Sequence, residues 1–225
     1  MDDRLTKTNN ILHSLDETIT SFFDLYSSID DVDTSKKQNL LRAVILFSCS
    51  GIDAIIKQLV NDTLESVIER DEGAFNQLKD YVSKQMMLKT EPGVNAKLFA
   101  ELFTCENPKK SLIENLKNYL KSGSLQSADE IFKAGSYFNI KSDDLEPSSA
   151  DKEKLRSIFT ARNQITHEMD VDMNEQTFTI RERTFDEAMD YSKHIIDLAR
   201  RFISSVSIKL ANEDISEDLE QIVSL

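Results

Sequence analysis

Leu40-Leu-Arg-Ala-Val-Ile-Leu-Phe-Ser-Cys-Ser-Gly-Ile-Asp-Ala-Ile-Ile-Lys-Gln-Leu-Val60 is apolar on nearly every side when wound at ~100° per residue. Leu41, Val44, Ile45, Leu46, Phe47, Ile52, Ile55, Ile56 and Leu59 supply the apolar surface, and Ser48, Ser50 and Asp53 interrupt it. A helix with so little polar face belongs at the centre of a bundle. Gly51 would let a neighbour approach closely. Asp30-Asp-Val-Asp-Thr-Ser35 breaks the pattern ahead of it and can cap it, so the helix is expected over about 36–70. With 5 Gly, 3 Pro and no Trp in 225 residues, long helices fit better than a many-stranded sheet.

The remaining segments supply the partners such a helix needs. Apolar residues at helical spacing mark 2–30 (Leu5, Ile11, Leu12, Leu15, Ile19, Phe22, Phe23, Tyr26) and 184–210 (Phe185, Met189, Ile195, Ile196, Leu198, Phe202, Val206). A third periodic stretch, 151–170, carries Leu155, Ile158, Phe159, Ile165 and Met169, with Ser148 or Ser149 as its N-cap. Between them, 73–140 reads as several shorter helices rich in Phe and Tyr, an inserted or appended arm. Lys110, Lys117 and Lys121 share one face there and are expected to be solvated. Ser142–Ser149 reads as a loop, and 213–225 as an acidic tail helix or disorder. The expected architecture is all-α: one domain over 1–225, with at most a short hairpin near 176–183.

Composition narrows the function classes. The net charge of −13 is unusual for a nucleic-acid binder, but it is unevenly spread. Residues 1–33 hold 2 basic against 8 acidic side chains, and 211–225 hold none against 5, leaving −2 for 34–210. A cleft in the middle of the chain is therefore not set against an anionic substrate by the total. Met1-Asp2-Asp3 is an acidic start, no 18-residue apolar run is read, and Cys49 and Cys105 have no metal or redox spacing. A cytoplasmic chain with reduced thiols and no membrane span is expected. No Gly-rich phosphate loop, His-Glu-x-x-His or Cys-x-x-Cys occurs, so neither cofactor nor metal is expected. Asp170-Val-Asp-Met-Asn-Glu175 begins like a calcium loop, but it lacks Gly at position six and Glu at position twelve.

The chemistry falls on Arg162-Asn163-Gln164-Ile165-Thr166-His167. Arg162 sits within the apolar stripe of its helix, where arginine is rarely found without a partner. Asn163 and His167 are one turn apart and can hydrogen-bond. Asp53, in the central helix, is a possible supporting acid for Arg162 or His167, or a bundle-edge acid with a local bond. RNA carries its own nucleophile in the 2′-hydroxyl, so a protein need only move a proton and stabilise phosphate charge. Imidazole suits the first task near neutral pH, and the planar guanidinium suits the second. The bland alternative makes Arg162 a structural ion-pair partner and His167 a cap. His13 and His194 read as rim or packed residues.

Arg, Asn, three residues, then His, on a helix late in an all-helical chain, resembles the signature of the HEPN superfamily. In overall layout the chain is similar to its ribonuclease-like, or PSP-type, members. The resemblance implies a helical bundle, a metal-independent endoribonuclease with Arg162, Asn163 and His167 as its catalytic set, and products ending in 2′,3′-cyclic phosphate and 5′-hydroxyl. It also implies a homodimer whose active site is composite. A toxin or antiphage-defence effector is the expected setting, and the acidic ends suit a basic, inhibitory protein partner. The rival expectation is a non-catalytic helical module that binds a partner protein or a nucleotide.

Overall fold

The computed structural model describes residues 2–86, 100, 102–172 and 179–211. Apart from one isolated antiparallel bridge, Val171 to Ile180, the regular structure of these residues is helical. A single 3-10 turn, Asp3–Leu5, leads into α1 (Thr6–Ser28). There follow α2 (Thr34–Arg70), α3 (Glu72–Met86), α4 (Pro108–Ser122), α5 (Ala128–Tyr137), α6 (Ser142–Leu145), α7 (Ser149–Glu168) and α8 (Phe185–Leu210). The short α6 lies where a plain loop was expected. Residues 87–99 and 101 of the expected arm, and the acidic tail at 213–225, fall outside the described residues.

α2 is the axis of the bundle. It packs most extensively on α8 and α1, then on α7, α3 and α4. Ile45, Cys49, Ile52, Ile55, Ile56 and Leu59 are fully buried. α2 is also long and apolar enough to cross a membrane by length and composition, but half of its most apolar window is buried in the bundle. Its central position accounts for its hydropathy. Phe47 departs from the expected all-round burial: it is half exposed and rests edge-on against Phe22 of α1, ring centres 5.2 Å apart. At Gly51 the expected close approach is real, because an added Cβ would come within 2.5 Å of Leu15 of α1.

The helices of the 73–140 stretch pack onto α2, and Tyr81, Ile113, Leu116, Ile131 and Phe138 join the same buried cluster as α2 and α8. The lysine face is not wholly solvated. Lys117 is buried, with its ammonium on Glu114 at 2.8 Å and Glu65 of α2 at 3.3 Å, while Lys121 reaches Asn61. Long aliphatic stems let lysines lie across apolar surface, and here Glu65 and Asn61 of α2 receive their ends.

Candidate functional site

The Arg162–His167 segment occupies the last two turns of α7, a helix fixed at both ends. At its start Ser148 is the N-cap, accepting from the Asp151 amide at 3.1 Å, while Asp151 accepts from the Ser148 amide at 3.2 Å. This reciprocal box satisfies two donors that a helix start would otherwise leave open. Leu155, Ile158, Phe159, Ala161 and Ile165 face the core. Met169 does not follow them. The helix stops at Glu168, Met169 and Asp170 turn left-handed (φ 53° and 60°), and Met169 is 77% exposed. The Asp170 amide bonds back to the Gln164 carbonyl at 2.9 Å, closing the terminus in a Schellman-type turn.

Two consecutive left-handed residues without glycine cost backbone energy, so other contacts must hold them. Asp170 is fully buried and supplies those contacts. One of its carboxylate oxygens accepts from Arg42 Nε of α2 and Arg183 Nε, each at 3.0 Å; the other accepts from Arg183 Nη2 at 2.5 Å. Arg183 also donates to Gln164 Oε1, within the motif, and its backbone exchanges two bonds with the Gln38 side chain. Arg42 Nη2 reaches the Arg181 carbonyl, and Arg181 in turn holds Glu168. Burial alone would push the Asp170 carboxyl up, but hydrogen bonds and charge from Arg183 and Arg42 outweigh it and keep the carboxyl below its ordinary range.

On this anchored end the three motif residues take different positions. Arg162 is half-buried, and its charge is felt by the buried Cys49 of α2, whose thiol burial pushes up to about 12. Its Nη1 donates to Asn163 Oδ1 at 2.9 Å, so the expected Asn163–His167 bond is replaced by an Arg162–Asn163 bond. His167 is exposed in the last turn of α7. Among the described residues, no hydrogen bond or ion pair joins it to Arg162 or Asn163. Five residues on a regular helix turn about 140°, which separates the two side chains on one chain.

Asp53 is not part of this group, correcting its reading as a supporting acid. One oxygen accepts from the Leu125 amide at 2.7 Å and the other faces Lys57 at 2.9 Å. One oxygen thus ties α2 to the turn before α5 and the other pairs within α2, where the local lysine one turn away wins over the distant motif. His13 is exposed beside Glu17, and His194 is packed.

A family model described as RiboL-PSP-HEPN matches residues 10–207. The chain belongs to this HEPN family. That match spans α1 through most of α8, so the all-α bundle is the HEPN domain itself rather than a motif on some other fold. None of the curated proteins and none of the solved structures matches the chain. Membership in the HEPN family supports an RNA-related, nuclease-type role at the level of the family. The sequence reading missed the Asp170–Arg183–Arg42 cluster behind the motif. Its one local signal was Asp170 ahead of the short segment near 176–183 and Arg183 at the end of it, two charges whose partners could not be named.

Proposed function

We propose that this HEPN domain is a metal-independent endoribonuclease that cleaves RNA by attack of the 2′-oxygen on the adjacent phosphorus. The P–O5′ bond breaks, the 2′-hydroxyl proton is lost and the 5′-oxygen gains one. His167 exchanges these protons, imidazole being the side chain suited to it near neutral pH. Arg162 holds the phosphate oxygens with its planar fork and supplies the positive charge a metal would otherwise bring. Asn163 orients that fork through its 2.9 Å bond. The reading is carried by this set of three on one pinned helix end in a chain of this family.

The ~140° between Arg162 and His167 is resolved if two copies pair about a two-fold axis and each phosphate meets residues of both. The exposed Met169 and Ile180, beside the His167 end of α7, offer apolar surface for that contact. Mixing Arg162→Ala and His167→Ala chains is therefore expected to restore cleavage in the heterodimer. An active enzyme that sediments strictly as a monomer would refute the shared site. In the cytoplasm such an activity suits a toxin or defence effector, restrained by a partner whose basic surface meets the acidic residues of 1–33.

The direct test of function is a digest of total RNA by the purified protein in excess chelator. Cleavage is expected to persist. An inert protein, with no growth cost on overexpression, would instead favour a non-catalytic module that binds a protein or nucleotide.

A further inference from the structure

At the opposite end of α7, three potential metal ligands converge from three elements. Glu146 follows α6, Asp151 lies in the first turn of α7, and His194 is on α8. One ligand atom from each lies within 4.8 Å of the other two. Glu146 is fully buried, and the His194 side chain is only 9% exposed. Glu146 Oε1 and His194 Nε2 stand 2.9 Å apart, yet neither atom has a hydrogen-bond partner of acceptable geometry among the described residues. A buried carboxylate oxygen and imidazole nitrogen rarely go unsatisfied, and an ion held by both would satisfy them together.

The other contacts leave these atoms available. Arg201 Nη2 takes Glu146 Oε2 at 3.2 Å, and Arg201 Nε takes the Leu145 carbonyl at 2.6 Å. The guanidinium thus offsets part of the buried charge and orients the carboxylate, with Oε1 directed to His194. Asp151 uses Oδ2 in the capping box with Ser148 and keeps its other oxygen. Asp151 is the solvent-side member of the three, so an ion has a way in.

We propose that Glu146, Asp151 and His194 bind a Zn²⁺ ion, with water in the fourth position that three protein ligands leave open. Ligands about 2.0–2.2 Å from zinc lie about 2.8–3.1 Å apart at right angles and about 3.3–3.6 Å apart at tetrahedral ones, so the 2.9 Å between Glu146 and His194 would open by a few tenths of an ångström around a tetrahedral ion. An imidazole beside two carboxylates selects a borderline ion such as zinc over calcium or magnesium, which take oxygen donors. The ion would clamp the α6–α7 junction to α8. Asp151 and His167 are sixteen residues apart on α7, about 24 Å, so this clamp does not take part in the chemistry at Arg162 and His167. The proposal is independent of the nuclease reading. It departs from the sequence expectation of no metal because the ligands come from segments up to 48 positions apart, with no motif spacing to announce them.

Zn²⁺ alone, titrated into chelator-stripped protein at pH 7.5 against a chromophoric zinc indicator, tests it, with stoichiometry from native mass spectrometry and melting followed by calorimetry. One ion per chain and a melting temperature that rises with free Zn²⁺ are expected. His194→Ala and Asp151→Asn should each weaken binding at least tenfold, and the asparagine keeps an acceptor for the Ser148 box. Should His194→Ala fail to fold, His194→Gln and Asp151→Asn decide. Wild type that retains no Zn²⁺ at micromolar concentration, or a folded variant that binds as tightly as wild type, overturns the site.

Discussion

Replacing His167 by alanine is expected to lower RNA cleavage by about 10²–10⁴-fold, the usual contribution of a positioned acid–base group. The melting temperature should stay within about 2 °C of wild type, because an exposed side chain outside any buried network contributes little. Both halves of the result matter. His167 makes no hydrogen bond among the described residues and lies outside the core, so loss of activity without loss of fold separates chemistry from structure. Arg162→Ala should lose cleavage to a similar degree, with a somewhat larger fall in stability, since its stem is half-buried beside α2. Asn163→Ala should cost less, because it orients the guanidinium and does not itself react. A His167→Ala protein that cleaves like wild type would remove the imidazole from the mechanism.

The largest effect on stability is expected at Asp170. Asp170→Ala leaves the guanidinium of Arg183, whose side chain is 7% exposed, buried without its main counter-charge. Breaking a buried pair in this way costs about 3–5 kcal/mol, or roughly 6–20 °C in melting temperature for a domain of this size. The pH dependence has a definite sign. The folded Asp170 carboxyl lies below its unfolded value, so its contribution is fully present above the unfolded pKa of ~3.9 and is lost as pH falls through the folded one. Wild type should therefore lose stability steeply below about pH 4, and Asp170→Ala should show a shallower acid limb. Calorimetry across pH 2–7 checks both. A variant that melts within about 1 °C of wild type would mean that the cluster does not hold the end of α7.

Much of the fold was legible because burial in a helical bundle writes itself as spacing within one segment. The near-continuous apolar run of Leu40–Val60 announced the central helix, and Leu155, Ile158, Phe159 and Ile165 announced the inner face of α7. The misreadings have a common cause. Met169 continues the apolar period, but two left-handed residues end the helix first, and that turn is stabilised by Arg42, 128 positions away. Lys117 looked solvated because Glu65 on α2 is invisible from its own helix. Asp53 looked available to Arg162 because its true partners, Lys57 and the Leu125 amide, could not be ranked against a more distant arginine. The motif residues were readable from their own six positions. What braces them came from elsewhere in the chain.

The chemistry proposed for Arg162 and His167 is tested most directly by the ends of the RNA fragments made in excess chelator, at a temperature below the melting transition of the metal-free protein. Attack by the 2′-oxygen leaves 2′,3′-cyclic phosphate on one fragment and 5′-hydroxyl on the other. Mass spectrometry of an oligoribonucleotide digest is predicted to show that pair, and a 2′-deoxy substitution at the scissile position is predicted to block the cut. Fragments ending in 3′-hydroxyl and 5′-phosphate, or cleavage that appears only when Mg²⁺ or Mn²⁺ is restored, would contradict it.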